Sequence, residues 1–252
     1  MTDAGWKEPQ GMPAFMDERS AQYITTIPVL LDRDIALRLS RFRARIAELQ
    51  QQYPDAVVTR LPTQEKAVAL TFDDGPDAST HAIIKILNRY GAKATFFLTG
   101  EKIRGHAYVI KAALRAGHMV LNHGWAHIRP TESSTEALLE EVRRAQNKLN
   151  AYTDTPRLFR PPYGLVTQEQ LQALIEMDFR VIVWSVDSLD WYLAKPEGIV
   201  SCVMNNIHPG AIVLLHSGGS HIVRQPTIKA LPVIIEQLQA LGYRFVTLDE
   251  RL

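Results

Sequence analysis

Two adjacent carboxylates, Asp73 and Asp74, end an apolar run in the stretch AVALTFDDGPD, residues 67–77. Like charges side by side repel, and at a buried strand end that repulsion is poorly screened. Each acid therefore needs a partner. Four further stretches offer partners: His123 and His127 in LNHGWAHIRP, Arg160 in LFRPPYG, Asp187 and Asp190 in VWSVDSLDW, and His216 in IVLLHSGG. Two imidazoles and one carboxylate are a common ligand set for a catalytic zinc ion, with positions left for water or substrate. Imidazole donors favour zinc, cobalt, nickel or manganese over calcium or magnesium. Such a site stays net positive, so its ion remains a Lewis acid and lowers the pKa of its water.

The second carboxylate then has a use. Successive strand side chains point to opposite sides, so Asp73 and Asp74 need not face the same partner. One acid can bind metal while the other, close to Arg160, serves as general base. His216 lies apart from the histidine pair and suits a general acid. An amide nitrogen leaves poorly unless it is protonated, and a carboxylate beside His216, either Asp187 or Asp190, would keep the imidazole charged near neutral pH. Trp191 follows Asp190, and its indole could wall a small apolar pocket.

Each motif alone has a plainer reading. Asp-Asp-Gly-Pro is a favourable turn, Arg-Pro-Pro-Tyr-Gly a rigid extended one, and a lone His-x-x-x-His is more often coincidence than a metal site. Their positions along the chain count against coincidence. From residue 66 onward strand and helix patterns alternate. Apolar strands are expected at 67–72, 93–98, 119–122, 157–160, 180–186, 211–216 and 244–248, with helices at 78–90, 107–116, 135–152, 167–176, 197–206 and 227–241. Regular βα alternation implies a parallel sheet, and the polar residues all fall at carboxyl ends of strands. That rim is where active sites assemble in parallel α/β folds and barrels. Seven strands suit an open doubly wound sheet or a barrel short of one βα unit.

Upstream, Ile35, Leu39, Phe42, Ile46 and Leu49 recur at helical spacing and predict a helix over 34–52, whose other faces carry Arg33, Arg38, Arg41, Arg43 and Arg45. Those arginines read as a solvated face. Residues 1–31 are aperiodic and read as loop or a wrapping extension. A net charge of +1 gives no field to recruit nucleic acid or membrane. The single cysteine, Cys202, excludes an internal disulfide and a cysteine zinc cluster. No apolar run is long enough to span a bilayer. The stretch MTDAGWKEPQGMPAFMDERS shows no basic-then-apolar leader pattern, which fits a cytoplasmic chain or one given without its leader.

Taken together, TFDDG, HGWAH, RPPYG, DSLDW and LLH, in this order, resemble the polysaccharide deacetylase family, the NodB-homology domain of carbohydrate esterase family 4, over residues 66–252. The resemblance implies an α/β fold, an irregular, distorted TIM-like (β/α)7 barrel, preceded here by an N-terminal extension, residues 1–65, with one helix. It implies Asp73 as catalytic base, Asp74, His123 and His127 as metal ligands, and Arg160 as the group orienting the base. It further implies the backbone N–H of Tyr163 as an oxyanion donor, His216 as the acid and Asp190 as the carboxylate that tunes it. Trp191 and Leu214 would line the acetyl-methyl pocket, with Trp125 and Pro161 also at the substrate.

The implied activity is removal of N-acetyl groups from an amino-sugar polymer (peptidoglycan, chitin-like or exopolysaccharide) with one divalent ion, zinc first. The implied partner is that acetylated glycan, and the implied location is secreted or wall-facing. An amidohydrolase acting on a small cyclic amide or imide, and an inactive glycan-binding relic, are the alternatives. One departure stands out: the family usually has Ser or Thr after the first metal histidine, where this chain has Gly124. The loop is expected to be less braced there. The other histidines, His81, His106, His118, His208 and His221, read as surface or structural, with His221 the one placed to reach substrate.

Overall fold

The structure, a computed structural model, describes residues 31–219 and 221–248, the side chains of 221–223 excepted. The expected N-terminal loop and the His221 side chain lie outside the described residues. Helix α1, Arg33–Gln52, opens the described chain, capped by Asp32 Oδ1, which accepts from Ile35 N at 2.9 Å. Ile35, Ile46 and Leu49 are its buried residues, while Arg33, Arg38, Arg41 and Arg43 are exposed.

Strands and helices then alternate: β1 Val57–Val58, β2 Ala67–Gly75, α2 Ala78–Arg89, β3 Ala94–Leu98, α3 Ala107–Arg115, β4 Met119–Asn122, α4 Thr135–Asn150, β5 Leu158–Phe159, α5 Gln168–Glu176, β6 Arg180–Ile182, β7 Val186–Asp187, α6 Pro196–Asn206, β8 Ala211–His216, α7 His221–Ala240 and β9 Arg244–Phe245. Among the described residues the sheet has nine strands in the order β1-β6-β5-β4-β3-β2-β8-β7, with β9 beside the start of β2. Its ladders are parallel. The strands from β2 to β8 form the curled, distorted (β/α)7 barrel.

The membership of those seven strands differs from the sequence expectation. The apolar run 180–186 breaks into β6 and β7, which do not pair with each other. The run 244–248 shrinks to a two-residue strand outside the path. Hydrophobicity cannot register such a break, because residues 181–183 and 186 are buried on either side of it. Helix α1 packs at the seam. Phe42 stacks on Trp184 with ring centroids 4.9 Å apart, and Tyr192 Oη donates to Asp32 Oδ2 at 2.7 Å.

Period-two alternation sorts β2 into two cores. Val68, Leu70 and Phe72 face the helix layer with Ile83, Ile84 and Leu87 of α2. Ala67 and Ala69 face the barrel interior with Phe97, Leu121 and Ile212. Thr71 and Asp73 continue the interior row, both buried. The interior thus turns polar as β2 reaches its carboxyl end.

Gly218 sets how closely the loop after β8 can approach that end. A Cβ there would lie 2.0 Å from Asp74 O. Gly218→Ala must push the loop away, and we expect it to cost about 1–3 kcal/mol by overpacking. Thermal melting checks this: a loss of roughly 2–4 °C per kcal/mol is expected for a domain of this size, and an unchanged melting temperature contradicts the close packing.

Candidate active site

Strand β2 runs on through Asp73 and Asp74 to Gly75, beyond the expected end. Its register with β3 shifts between Phe72 and Gly75, and Asp74 adopts a left-handed φ of 72°. Asp tolerates a left-handed φ better than most residues, yet the conformation still costs strain, and such residues cluster at functional sites. The bulge overrides the alternation expected from sequence. Both carboxylates converge on His123 Nε2, with Asp73 Oδ2 at 3.8 Å and Asp74 Oδ1 at 3.4 Å.

Asp74 also meets His127, whose Nε2 is 3.1 Å from Asp74 Oδ1. One donor atom from each of Asp74, His123 and His127 lies within 4.8 Å of the others. His123 Nδ1 is 2.7 Å from the carbonyl of Arg160. A carbonyl only accepts, so Nδ1 carries the proton and Nε2 keeps its lone pair, the arrangement a metal-ligating imidazole needs. Asp74 Oδ1 is buried and has no hydrogen-bond partner among the described residues. A buried carboxylate oxygen without a donor, facing two imidazole Nε2 atoms, is a cation-shaped gap. The three residues therefore fit a divalent ion. Burial opposes the charge on Asp74, but the imidazoles of His123 and His127 beside it, with the charge of His216, hold its carboxyl well below the usual range.

Helix α4 braces the His123–His127 loop from behind. Asn122 Nδ2 donates to Val142 O at 2.9 Å, and Asn122 Oδ1 accepts from Gly124 N at 2.9 Å. Glu141 Oε2 accepts from the backbone N–H groups of Trp125, at 3.0 Å, and Ala126, at 2.6 Å. Gly124 has a φ of 79°, and Glu141 Oε2 lies 3.6 Å from where its Cβ would be. The carboxylate of Glu141 thus braces the loop where no hydroxyl follows His123.

Asp73 is held on its other side. Arg160, fully buried, donates from Nη1 to Asp73 Oδ1 at 2.8 Å and to Thr71 Oγ1 at 2.7 Å. Its Nη2 donates to Val183 O at 3.0 Å, its Nε to Ile182 O at 3.3 Å, and it lies 4.0 Å over the Phe97 ring. A buried cation survives only when its donors are satisfied this way.

Across the β2–β8 ladder, His216 sits opposite Asp73. Its Nδ1 is 2.7 Å from Asp190 Oδ1, and its backbone N–H donates to Asp190 Oδ2 at 2.9 Å. Burial alone would pull the imidazolium down. Asp190, aided by Asp74 and Asp73, more than reverses this and raises the pKa to about 9. Burial likewise opposes charge on Asp190, yet His216 and then Arg224 bring it below the usual range. A pKa raised from 6.5 to about 9 stabilises the fold fully below pH 6.5, and that contribution is lost as pH rises through 9. For metal-free protein we expect stability to fall by a few kcal/mol across this window. Asp190→Asn should flatten the fall, and denaturant titrations at the two ends measure it.

Of the two candidate carboxylates, Asp190 meets His216 and Asp187 does not. Asp187 instead accepts from Trp184 Nε1 and Trp191 Nε1, each at 3.2 Å, and from Leu189 N at 2.9 Å, and burial lifts its carboxyl above the usual range. Trp191 is two-fifths exposed while Leu214 is buried. Tyr163, in a left-handed φ of 62°, is exposed, with its ring 5.1 Å from His127 and Arg129 stacked over it at 4.2 Å. Pro161 is buried beside it. Trp125 is half-buried under Arg144, at 4.2 Å, and packs on Gly100, so it anchors a loop. Cys202 is buried and its thiol is pushed up to about 11, as an inert structural thiol would be. His118 is also structural, paired with Asn88 Oδ1 at 3.2 Å.

Sequence reasoning missed Thr71, Glu141, Arg224 and Thr227. Thr71 left a signal, a polar residue in the apolar run of β2. The other three sit on amphipathic helices, where polar residues are ordinary.

A sequence model of the polysaccharide deacetylase family matches residues 60–182. The peptidoglycan-N-acetylglucosamine deacetylase of Bacillus cereus is 37% identical over 203 residues, covering 79% of this chain and 94% of the relative. A crystal structure of a peptidoglycan N-acetylglucosamine deacetylase bound to an N-hydroxybenzamide superposes with a TM-score of 0.76 at 34% identity, covering 82% of this chain and 96% of the other. A pseudoenzyme of carbohydrate esterase family 4 from Bacillus anthracis also superposes, with a TM-score of 0.70 at 29% identity, covering 78% of this chain and 68% of the other. Likeness of fold therefore does not by itself carry activity, but it settles kinship: the chain belongs to the polysaccharide deacetylase family, carbohydrate esterase family 4.

Proposed function

We propose that this protein is an active, metal-dependent deacetylase that removes N-acetyl groups from amino sugars of a cell-wall glycan, N-acetylglucosamine of peptidoglycan first, and works facing the wall. The observation that carries the reading is the convergence of three sets on one rim: Asp73 with Arg160, Asp74 with His123 and His127, and His216 with Asp190. The peptidoglycan relatives support the choice of substrate.

Asp74, His123 and His127 would hold the divalent ion, zinc first, given two imidazoles and one carboxylate. When bound it supplies Lewis acidity at the amide carbonyl and at water. Arg160 fixes Asp73, which takes the proton from the attacking water. The Tyr163 N–H donates to the carbonyl oxygen as negative charge grows there. Asp190 holds the proton of His216 Nδ1, so the remaining ring nitrogen, Nε2, gives its proton to the departing amine. Trp191, turned by Asp187, walls the acetyl methyl with Leu214, and Pro161 and Trp125 flank the substrate. The reaction yields acetate and a free amino sugar.

Acetate release from chitooligosaccharides and peptidoglycan fragments, with metal content determined on the same sample, tests the reading. Zinc-loaded protein that binds glycan yet releases no acetate would identify a relic. Activity confined to cyclic imides would move it to another amidohydrolase class.

A further inference from the structure

The acid half of the site contains a second cation that the proposed reaction does not use directly. Arg224, in α7, is 6% exposed, and its Nη1 lies 3.7 Å from Asp190 Oδ2 with no hydrogen-bond partner among the described residues. Its Nε donates to Gly218 O at 2.7 Å. Thr227, one turn on, donates from Oγ1 to Asp190 Oδ2 at 2.8 Å. The loop that Arg224 grips is the one locked on the base: Ser217 N and Gly218 N donate to Asp73 O at 2.8 and 3.2 Å. One guanidinium therefore touches both the carboxylate behind the acid and the loop fastened to the base.

Charge bookkeeping gives this contact a purpose. While His216 is protonated, the fully buried Asp190 carboxylate has an imidazolium beside it. When the proton passes from His216 Nε2 to the amine nitrogen as the C–N bond breaks, that countercharge disappears. A buried carboxylate left without a cation is costly. Arg224 is then the cation still at hand, and it makes the proton easier to give up.

We infer that Arg224 is a positioning residue for the general acid: from beside Asp190 it balances the carboxylate's charge once His216 has donated its proton. The inference rests on the deacetylase reading, in which His216 is the acid. It makes a claim about the leaving group. An amine must be protonated to depart, whereas a nitrophenolate departs without help, so loss of Arg224 should matter for the amide and not for the aryl ester.

The test compares wild type, Arg224→Met, Arg224→Lys and His216→Ala, all zinc-loaded, on an N-acetylated chitooligosaccharide and on 4-nitrophenyl acetate. For Arg224→Met, kcat on the amide is expected to fall about 10- to 100-fold, less than the roughly 10²–10⁴ that the general acid itself supplies. KM, zinc content and ester turnover should stay within about twofold of wild type. Arg224→Lys keeps the cation, should recover much of the loss, and serves as the test variant where the methionine variant fails to fold. Equal losses on amide and ester, a loss appearing in KM or zinc content, or a lysine variant no better than methionine overturns the inference. Amide-selective loss in His216→Ala but not in the Arg224 variants removes the inference alone. A wild type that releases no acetate removes the deacetylase reading, and the inference with it.

Discussion

Asp73→Asn is expected to lower kcat for acetate release by about 10²–10⁴, the range a positioned general base supplies, while leaving zinc content unchanged. Asparagine is nearly isosteric, and its Oδ1 can still accept from Arg160 Nη1, which bonds Asp73 at 2.8 Å. Arg160 also keeps its bonds to Thr71, Ile182 and Val183. The fold should therefore survive, and what is lost is the ability to take a proton. The opposite truncation is harsher: Arg160→Met would leave Asp73 charged in a buried site, a change that typically costs about 3–5 kcal/mol. The measurement is steady-state acetate release with metal analysis on the same preparation. An Asp73→Asn protein with full zinc and full activity removes Asp73 as the base. A variant that loses its zinc makes Asp73 a ligand, which its 3.8 Å separation from His123 Nε2 makes worth checking.

Chelation should have a comparable or larger effect. Stripping the ion is expected to reduce acetate release to background, and zinc or cobalt should restore it, because both suit imidazole donors. Melting supplies a readout independent of activity. A ligand that binds only the folded state stabilises it by about 2.7 kcal/mol at a hundredfold excess over its Kd, so zinc should raise the melting temperature of the stripped protein. Asp74→Ala and His127→Ala should abolish that rise, since each removes one of three donor atoms that lie within 4.8 Å of each other. Activity that persists through exhaustive chelation, or a zinc-induced rise that survives in Asp74→Ala, would rule out this metal site.

Several features are legible in the sequence alone. The first helix of the alternation is one: expected at 78–90, it spans Ala78–Arg89, capped by Asp77 through Ser79 N at 2.8 Å, with Ile83, Ile84 and Leu87 on its buried face. Strands β3, β4 and β8 follow their apolar runs closely, because a strand buried on both faces needs continuous hydrophobicity. The division of 180–186 was not readable, since it depends on where the barrel fails to close and where α1 packs. Nor was the brace on the histidine loop: Glu141 lies 16 residues beyond Trp125 on a helix whose exposed acids look alike in sequence.

By itself, the sequence determined which chemical groups are available and on which rim they stand. Carboxylates, imidazoles and one arginine follow apolar runs, and parallel βα alternation points every strand's carboxyl end the same way. Tertiary structure alone decided how those groups divide. The bulge and the left-handed Asp74 turn two neighbouring acids onto one histidine, against the alternation of an ordinary strand. Packing between β8 and the turn after β7 brings Asp190 to His216 and leaves Asp187 holding two indoles. Side-chain direction at a bulge and contact across 26 residues are set by the packing of the whole fold, which no local spacing encodes.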